Sequence, residues 1–423
     1  MFKNLNNNFF NKEIVILFFL YLTLLISFFL GENSTGGAFT DYARQKAIVN
    51  SFSNNFFESL LNYDKFSTRH SPVLIIFLAI LEKLSFSDLI IRFIHLHLCL
   101  ILPFYFYKCL RFKFKFIDKK ILFILTGLIF FSPTFRSLSI WPDSRILGLT
   151  LFTIGIFYFL KFEREKKINF AIKNVFLVAL SAYISPNFSI FSLFFFLKYT
   201  LYYNFFSKPT LLIIITNLIL SIPAIYYVFI LEINFFLKSA VAEINWDEKE
   251  NIIFNNIFND FIITFSFLFF YIFPFLFLKI INLEKIITFS NLIYSSTIFL
   301  VCAYFFDYNY LYGGGGIIFK ISNFLFNNNY FFYLYSYLSI IICLPLLYKN
   351  KFNILIFLII ILNNPQYTLY HKYFDPFLVI TFFTIFYFNI NLNKIILKNN
   401  YFFIYIYFVL FLIINNLKSL WIT

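Results

Sequence analysis

Charged residues are scarce in this 423-residue chain: they make up 13% of it, while 61% of the residues are hydrophobic. Soluble globular domains carry about 25% charged and roughly 45–50% apolar residues, so the composition excludes a water-soluble fold. Cysteine is scarce as well, and the four cysteines lie in or beside apolar runs, which excludes a secreted disulfide scaffold. The composition is that of a multi-pass membrane protein.

Long apolar runs are what the chain has in abundance, with 71 phenylalanines among them. A helix needs about 20 mostly apolar residues to cross the hydrocarbon core of a bilayer. Runs of this kind cover roughly 14–31, 89–107, 121–135, 146–160, 170–185, 188–203, 211–230, 261–278, 286–306, 331–348, 354–369, 376–388 and 401–417. We therefore predict an all-α fold, a single transmembrane helical bundle over residues 1–423 with about 11–13 spans.

The basic residues indicate how this bundle is oriented. With residues 1–13 inside, the inner segments hold 21 of the 34 Lys and Arg residues but only 5 of the 20 acidic ones. This positive-inside pattern explains the net charge of +14 without a nucleic-acid partner, and the basic loop 108–120 is expected to contact anionic lipid headgroups. We expect an integral protein of the bacterial inner membrane whose working face is periplasmic.

The first outer segment, residues 31–88, is expected to be a long loop that is amphipathic in its second half. Its apolar stretch 72–84 has only 13 residues, which is about 20 Å as a helix and too short to cross. We expect this stretch to lie as a helix along the outer interface. Since the long loops are outside and the inner loops are short, the chemistry is expected at the outer surface.

Arginine is rare but concentrated on the outer side. Five of the seven arginines fall there: Arg44, Arg69, Arg92, Arg136 and Arg145. The planar guanidinium holds phosphate or carboxylate with two hydrogen bonds at once, so the pattern predicts an anion-binding site. Ion pairing with the outer acidic residues is the open alternative.

Asp41 is the sharpest candidate for chemistry. It follows the turn Gly36–Gly37 soon after the first span emerges. A carboxylate at the membrane boundary can act as a general base on an acceptor hydroxyl, or it can bind a divalent cation such as Mg²⁺ or Mn²⁺. An acidic residue after a glycine-rich turn can also be an ordinary helix N-cap.

Other outer turns carry charge near predicted helix starts. Arg69 and His70 come directly before the interfacial helix, where they could meet a phosphate. Asp143 lies between Arg136 and Arg145 in a short turn; it could be a second active-site acid, or it could cap the next span.

Polar backbone also interrupts the last apolar hairpin, over residues 363–376, which include Lys372 and Tyr373. Such backbone at membrane depth is tolerated only where it is buried in protein or lines a cavity. The nearby run Gly313–Gly316 lacks the other residues of a phosphate-binding P-loop, and we expect a flexible turn there. The alternative is that its backbone amides bind a phosphate or a sugar.

In this order and on this face, the motifs resemble those of the GT-C class of membrane glycosyltransferases, which includes protein mannosyltransferases and aminoarabinose transferases. Those enzymes carry an Asp, often Asp-Glu, in the first long outer loop, where this chain has Asp41-Tyr42. Their turn of the His-Pro-Pro type is matched by residues 68–72, with one proline missing. Their late Arg-Tyr-x-x-Pro is matched by Lys372 to Pro376, with Lys in place of Arg.

The resemblance implies an enzyme that moves a sugar from a polyprenyl-phosphate donor to a glycan, lipid or protein acceptor at the outer face of the bilayer. It implies Asp41 as base or metal ligand, Asp143 as a second acid, and Mg²⁺ or Mn²⁺ as the cofactor that Asp41 would allow. The donor phosphate would be bound by Arg44, Arg69, His70, Arg136, Arg145, Lys372 and Tyr373. The alternatives are a transporter or flippase of a lipid-linked or small anionic substrate, and a surface-polysaccharide polymerase or ligase.

Overall fold

The fold is all-α, as predicted. The computed structural model describes residues 12–66, 68, 71–231, 249–281, 288–309, 313–364 and 368–421. The described residues are 81% helical and contain no strand, only one isolated bridge between Ile281 and Ile390.

The helices of the described residues follow one another with short connections, several of which are 3₁₀ turns. The first half of the chain forms α1 (Lys12–Leu30), α2 (Ala38–Asn54), α3 (Phe56–Leu61), α4 (Val73–Lys83), α5 (Asp88–Cys99), α6 (Ile101–Lys113), α7 (Lys119–Gly127), α8 (Pro133–Ile140), α9 (Ser144–Glu165) and α10 (Ile168–Ile184). The second half forms α11 (Phe191–Tyr203), α12 (Lys208–Phe229), α13 (Lys249–Phe277), α14 (Phe289–Tyr304), α15 (Gly316–Phe326), α16 (Tyr330–Tyr348), α17 (Lys351–Leu362), α18 (Phe377–Thr384) and α19 (Asn400–Trp421).

The number of described helices that are long enough to cross a membrane is smaller than the sequence predicts. Among the described residues, six helices are long and apolar enough to cross a membrane, or seven if the bent pair Lys119–Phe131 and Pro133–Ile140 is one span, against the expected 11–13. The bend of 62° falls at Pro133, because proline has no N–H to continue the helix. The stretches predicted as spans 354–369 and 376–388 end early, at Leu362 and Thr384. Several apolar runs thus form helices shorter than a bilayer-spanning length.

The first outer segment is folded rather than loop-like, since it consists mostly of the helices α2, α3 and α4. The predicted helix within residues 72–84 is α4, which buries Leu74, Ile75 and Leu78. Its position along a membrane interface stays a prediction.

The run Gly313–Gly316 is a tightly packed turn, so the expectation of a flexible one is wrong. Every glycine in it has a positive φ, a conformation in which a Cβ would be strained. A Cβ on Gly314 would lie 2.6 Å from the carbonyl oxygen of Leu369, and one on Gly316 would lie 2.3 Å from the ring of Phe267. Glycine is needed here because the turn packs directly against backbone and rings.

Candidate active-site cleft

The start of α8 anchors the turn that leads into α2. The hydroxyl of Ser34 donates to the carbonyl oxygen of Pro133 at 2.9 Å and lies 2.7 Å from the hydroxyl of Ser137. The backbone N–H of Thr35 donates to the same Ser137 hydroxyl at 3.0 Å. The turn before Asp41 therefore has a fixed position on α8.

The segment that carries Lys372 is anchored to the same end of α8. Asp375 accepts hydrogen bonds from the Ser132 hydroxyl at 2.5 Å and from the backbone N–H of Thr134 at 3.0 Å. Burial raises the pKa of Asp375 above its usual 3.8, although these donors oppose the shift. The two distant segments thus share one support.

Asp41 and Lys372 lie on the two segments that are anchored to α8, and they form an ion pair. The Nζ atom of Lys372 donates to Oδ2 of Asp41 at 2.8 Å, and the two residues are 331 positions apart in the chain. The side chain of Asp41 is 34% exposed and that of Lys372 is 15% exposed. Asp41 lies in the first turn of α2, whose cap residue is Gly37. The alternative that Asp41 is the N-cap is therefore wrong.

A cleft of about 910 Å³ opens beside this ion pair. Its polar end is formed by the turn before α2, the start of α8, the glycine turn and residues 370–372, and it includes Thr35, Thr40, Asp41, Thr134, Gly314, Gly316, Tyr370, His371 and Lys372. Its apolar wall is formed by α15 and α19, with Ile317, Ile321, Phe324, Phe411, Ile414 and Leu417. The cleft is therefore amphiphilic.

Sequence reasoning left two basic residues of this cleft, His371 and Lys320, out of the predicted site. His371 lies beside Lys372, and its Nε2 atom is 2.7 Å from the hydroxyl of Tyr271. Lys320 lines the cleft from α15. The signal for Lys320 was a single lysine in an otherwise uncharged helix directly after the glycine turn.

A second, much smaller cavity of about 30 Å³ is lined by Lys372 as well. Arg145 and Tyr373 also line it, and the guanidinium of Arg145 lies 4.4 Å from the centre of the Tyr373 ring. Asp143 caps α9 by accepting the backbone N–H of Arg145 at 2.7 Å. Of the predicted residues, Asp41 and Lys372 thus line the cleft, and Arg145, Lys372 and Tyr373 line the smaller cavity. Asp143 lines neither and caps the helix that carries Arg145.

The other predicted residues lie elsewhere. Arg136 forms a buried ion pair with Glu32 at 2.8 Å and also donates to Thr23 and Ser27. Arg44 is an exposed residue of α2 that does not line the cleft. Arg69 and His70 fall outside the described residues.

The donor set at Asp41 does not fit a divalent cation. One carboxylate oxygen of Asp41 is already held by Lys372, and the described residues contain no group of three or more His, Cys, Asp or Glu side chains that could hold a metal. Mg²⁺ and Mn²⁺ prefer several oxygen ligands. The chemistry that this carboxylate can perform on its own is proton transfer.

Comparison with known proteins adds no relative from which a function could be transferred. No family model matches this chain, and no curated protein or solved structure is significantly similar to it. We therefore infer the function from the geometry of the cleft.

Proposed function

We propose that this chain is a multi-pass membrane glycosyltransferase that transfers a sugar from a polyprenyl-phosphate donor to an acceptor at the outer face of the membrane. The observation that carries the proposal is the cleft, which combines a charged end at Asp41 and Lys372 with an apolar wall on α15 and α19. A polyprenyl-phosphate sugar has the same division, with a polar head and a long apolar chain.

Several side chains of the apolar wall are exposed, which suits contact with an isoprenoid chain that enters from the bilayer. Phe324, Ile414 and Leu417 are 74%, 45% and 50% exposed. Burying such side chains against a hydrocarbon chain is favourable by about 25 cal/mol per Å² of apolar surface. The polar end would then receive the phosphate and the sugar.

Asp41 and Lys372 suit the two charge changes of glycosyl transfer. The acceptor hydroxyl gives its proton to the carboxylate of Asp41 as its oxygen bonds to the anomeric carbon. The bond from that carbon to the phosphate oxygen breaks, and its electron pair leaves with the polyprenyl phosphate. Lys372 stabilises the negative charge on this leaving group. A bound phosphate would draw Lys372 away from Asp41 and so leave the carboxylate free to accept the proton.

Transport of a lipid-linked or small anionic substrate is the second candidate function, and one observation favours it. Asp260 lies in the long apolar helix α13, is only 4% exposed, and has a carboxyl oxygen with no hydrogen-bond partner among the described residues. Buried acids in membrane helices are common on ion and substrate pathways. Asp260 is not among the residues that line the cleft.

Lipid and glycan profiling of a strain that lacks the gene tests the proposal. We expect a polyprenyl-phosphate sugar to accumulate and one sugar to disappear from a surface glycan or lipid, since the donor would be made but not used. The wild-type gene should reverse both changes, and a gene encoding Asp41→Asn should reverse neither.

Two results would argue against a transferase. Unchanged lipids and glycans in the deletion strain would leave no substrate for the proposed reaction. Purified protein that moves a labelled polyprenyl-phosphate sugar across vesicles without cleaving it would favour a flippase.

A further inference from the structure

The cavity of about 30 Å³ behind the ion pair is unusually polar for its size. It lies between the start of α9, the turn at Asn187, the end of α17 and the segment of Lys372. A buried water needs roughly 10–15 Å³ of such space, so the cavity holds about two water-sized groups. A whole sugar ring or a phosphate does not fit in it.

Three buried polar atoms at this cavity lack a hydrogen-bond partner among the described residues. They are Nη1 of Arg145, Oδ1 of Asn363 and Nδ2 of Asn364. Asn363 and Asn364 are only 3% and 1% exposed. Buried polar groups are nearly always paired, so unpaired donors and an unpaired acceptor around one cavity indicate a partner that both donates and accepts.

The amide of Asn364 is held in position by a neighbour. Nδ2 of Asn187 donates to Oδ1 of Asn364 at 2.6 Å, which leaves Nδ2 of Asn364 as the available donor. Two buried amides and a guanidinium stacked on Tyr373 form a rigid set, and such a set is suited to recognition by hydrogen bonding.

The charges around the cavity favour a neutral occupant. The carboxylate of Asp143, directly before the helix that carries Arg145, is near enough to interact electrostatically with the Arg145 guanidinium, and Lys372 is paired with Asp41. Asp375 also lines the cavity, and as an acidic residue it does not add to the positive charge there. A phosphate would bring negative charge to a place with no excess of positive charge. A hydroxyl group needs no counter-charge, and it supplies both a donor and an acceptor.

We infer that this cavity is a specificity subsite that takes one neutral hydroxyl or hydroxymethyl group of the transferred sugar, recognised by Arg145, Asn363 and Asn364. The inference rests on the proposed function, because Lys372 lines both cavities and the sugar is attached to the phosphate that Lys372 would face. The sugar ring would lie in the cleft, with one substituent reaching into the subsite.

Donor analogues that lack one hydroxyl test this inference. Purified protein is reconstituted in proteoliposomes with a glycan and lipid extract of the deletion strain, which supplies the unused acceptor. It is first given short-chain polyprenyl phosphates of glucose, mannose, galactose and arabinose, and release of polyprenyl phosphate is measured. For the sugar that is consumed fastest, each hydroxyl is then replaced by hydrogen in turn. We expect one deoxy analogue to lose roughly tenfold to hundredfold in kcat/KM, because it leaves buried polar groups unpaired.

Asn363→Leu and Asn364→Leu should each lower kcat/KM for the donor with the full sugar. They should also bring the ratio of kcat/KM between this donor and that deoxy analogue close to one. The ratio is taken within one preparation, so partial unfolding of a variant does not change it. Asn187→Ala should lower the ratio in part. The matched control is Asn323→Leu, which removes a half-buried amide that bonds only near its own helix, to Phe319 and Asn329; it should keep the wild-type ratio.

The outcomes separate this inference from the proposed function. If wild-type protein cleaves none of the donors, the proposed function fails, and the subsite fails with it. If wild-type protein cleaves a donor but no deoxy analogue is penalised, or both Leu variants keep the wild-type ratio, the subsite alone is wrong and the cavity holds ordered water only.

Discussion

Replacing Asp41 with asparagine is expected to reduce sugar transfer by about 10²–10⁴-fold, the usual contribution of a general base. Asparagine has nearly the same shape but cannot accept the proton of the acceptor hydroxyl. Asp41 is partly exposed at the cleft, so the variant should insert and fold as the wild type does. The measurement is the rate of polyprenyl-phosphate release by purified protein in proteoliposomes that contain the acceptor extract of the deletion strain, with the thermal unfolding midpoint as a check on folding.

The matched control for this change is Asp64→Asn. Asp64 is an exposed acid of the same outer segment and does not line the cleft, so its variant should retain the wild-type rate. An Asp41→Asn protein that transfers sugar as fast as the Asp64→Asn protein would end the assignment of Asp41 as the base.

Replacing Arg136 with methionine is expected to destabilise the protein strongly, by roughly 3–5 kcal/mol, the typical cost of leaving one charge of a buried pair without its partner. The side chains of Arg136 and Glu32 are 7% and 9% exposed and lie 2.8 Å apart. We therefore assign Arg136 to holding α1 against α8, instead of to the donor phosphate. The measurement is the unfolding midpoint in detergent.

The ion pair between Arg136 and Glu32 is expected to make the stability of the protein depend on pH. Burial alone would raise the pKa of Glu32, but the hydrogen bond and charge of Arg136 outweigh it, and the pKa lies below its usual 4.5. The stabilisation by this pair is therefore present above about pH 4.5 and is lost as the pH falls through the lowered pKa.

The matched control for Arg136→Met is Lys167→Met, which breaks an exposed ion pair with Glu165 and should cost less than about 1 kcal/mol. If Arg136→Met keeps the stability of this control but weakens binding of a polyprenyl-phosphate sugar, Arg136 binds the ligand after all.

The helical class could be predicted from the sequence because it depends on local properties. Long apolar runs favour helices, and polar residues such as Ser132, Asp143 and Ser207 cap helices where the structure begins them. Among the described residues, fewer helices are long enough to cross a membrane than the sequence predicts, because hydropathy does not show where an apolar run breaks. Pro133 and the short helix α18 are examples.

The candidate site was predictable only as a set of charged turns. That Asp41 and Lys372 both lie at the cleft followed from the order of the motifs, but their direct contact depends on two separate anchors to α8, at Ser34 and Asp375. No local pattern encodes such contacts between distant residues. For the same reason the sequence could not show that Arg136 has a buried partner in Glu32 while Arg145 lacks a partner for one nitrogen.

Thiol labelling of intact cells tests the central claim, that the cleft faces the outside of the membrane. The four native cysteines are buried, so Arg44→Cys, one turn after Asp41, supplies an exposed thiol near the cleft, and Lys115→Cys supplies one in the basic loop. We predict that a membrane-impermeant maleimide labels residue 44 in intact cells and residue 115 only after the membrane is opened. Labelling of residue 115 but not of residue 44 in intact cells would contradict the proposed site, since the cleft would then face the cytoplasm.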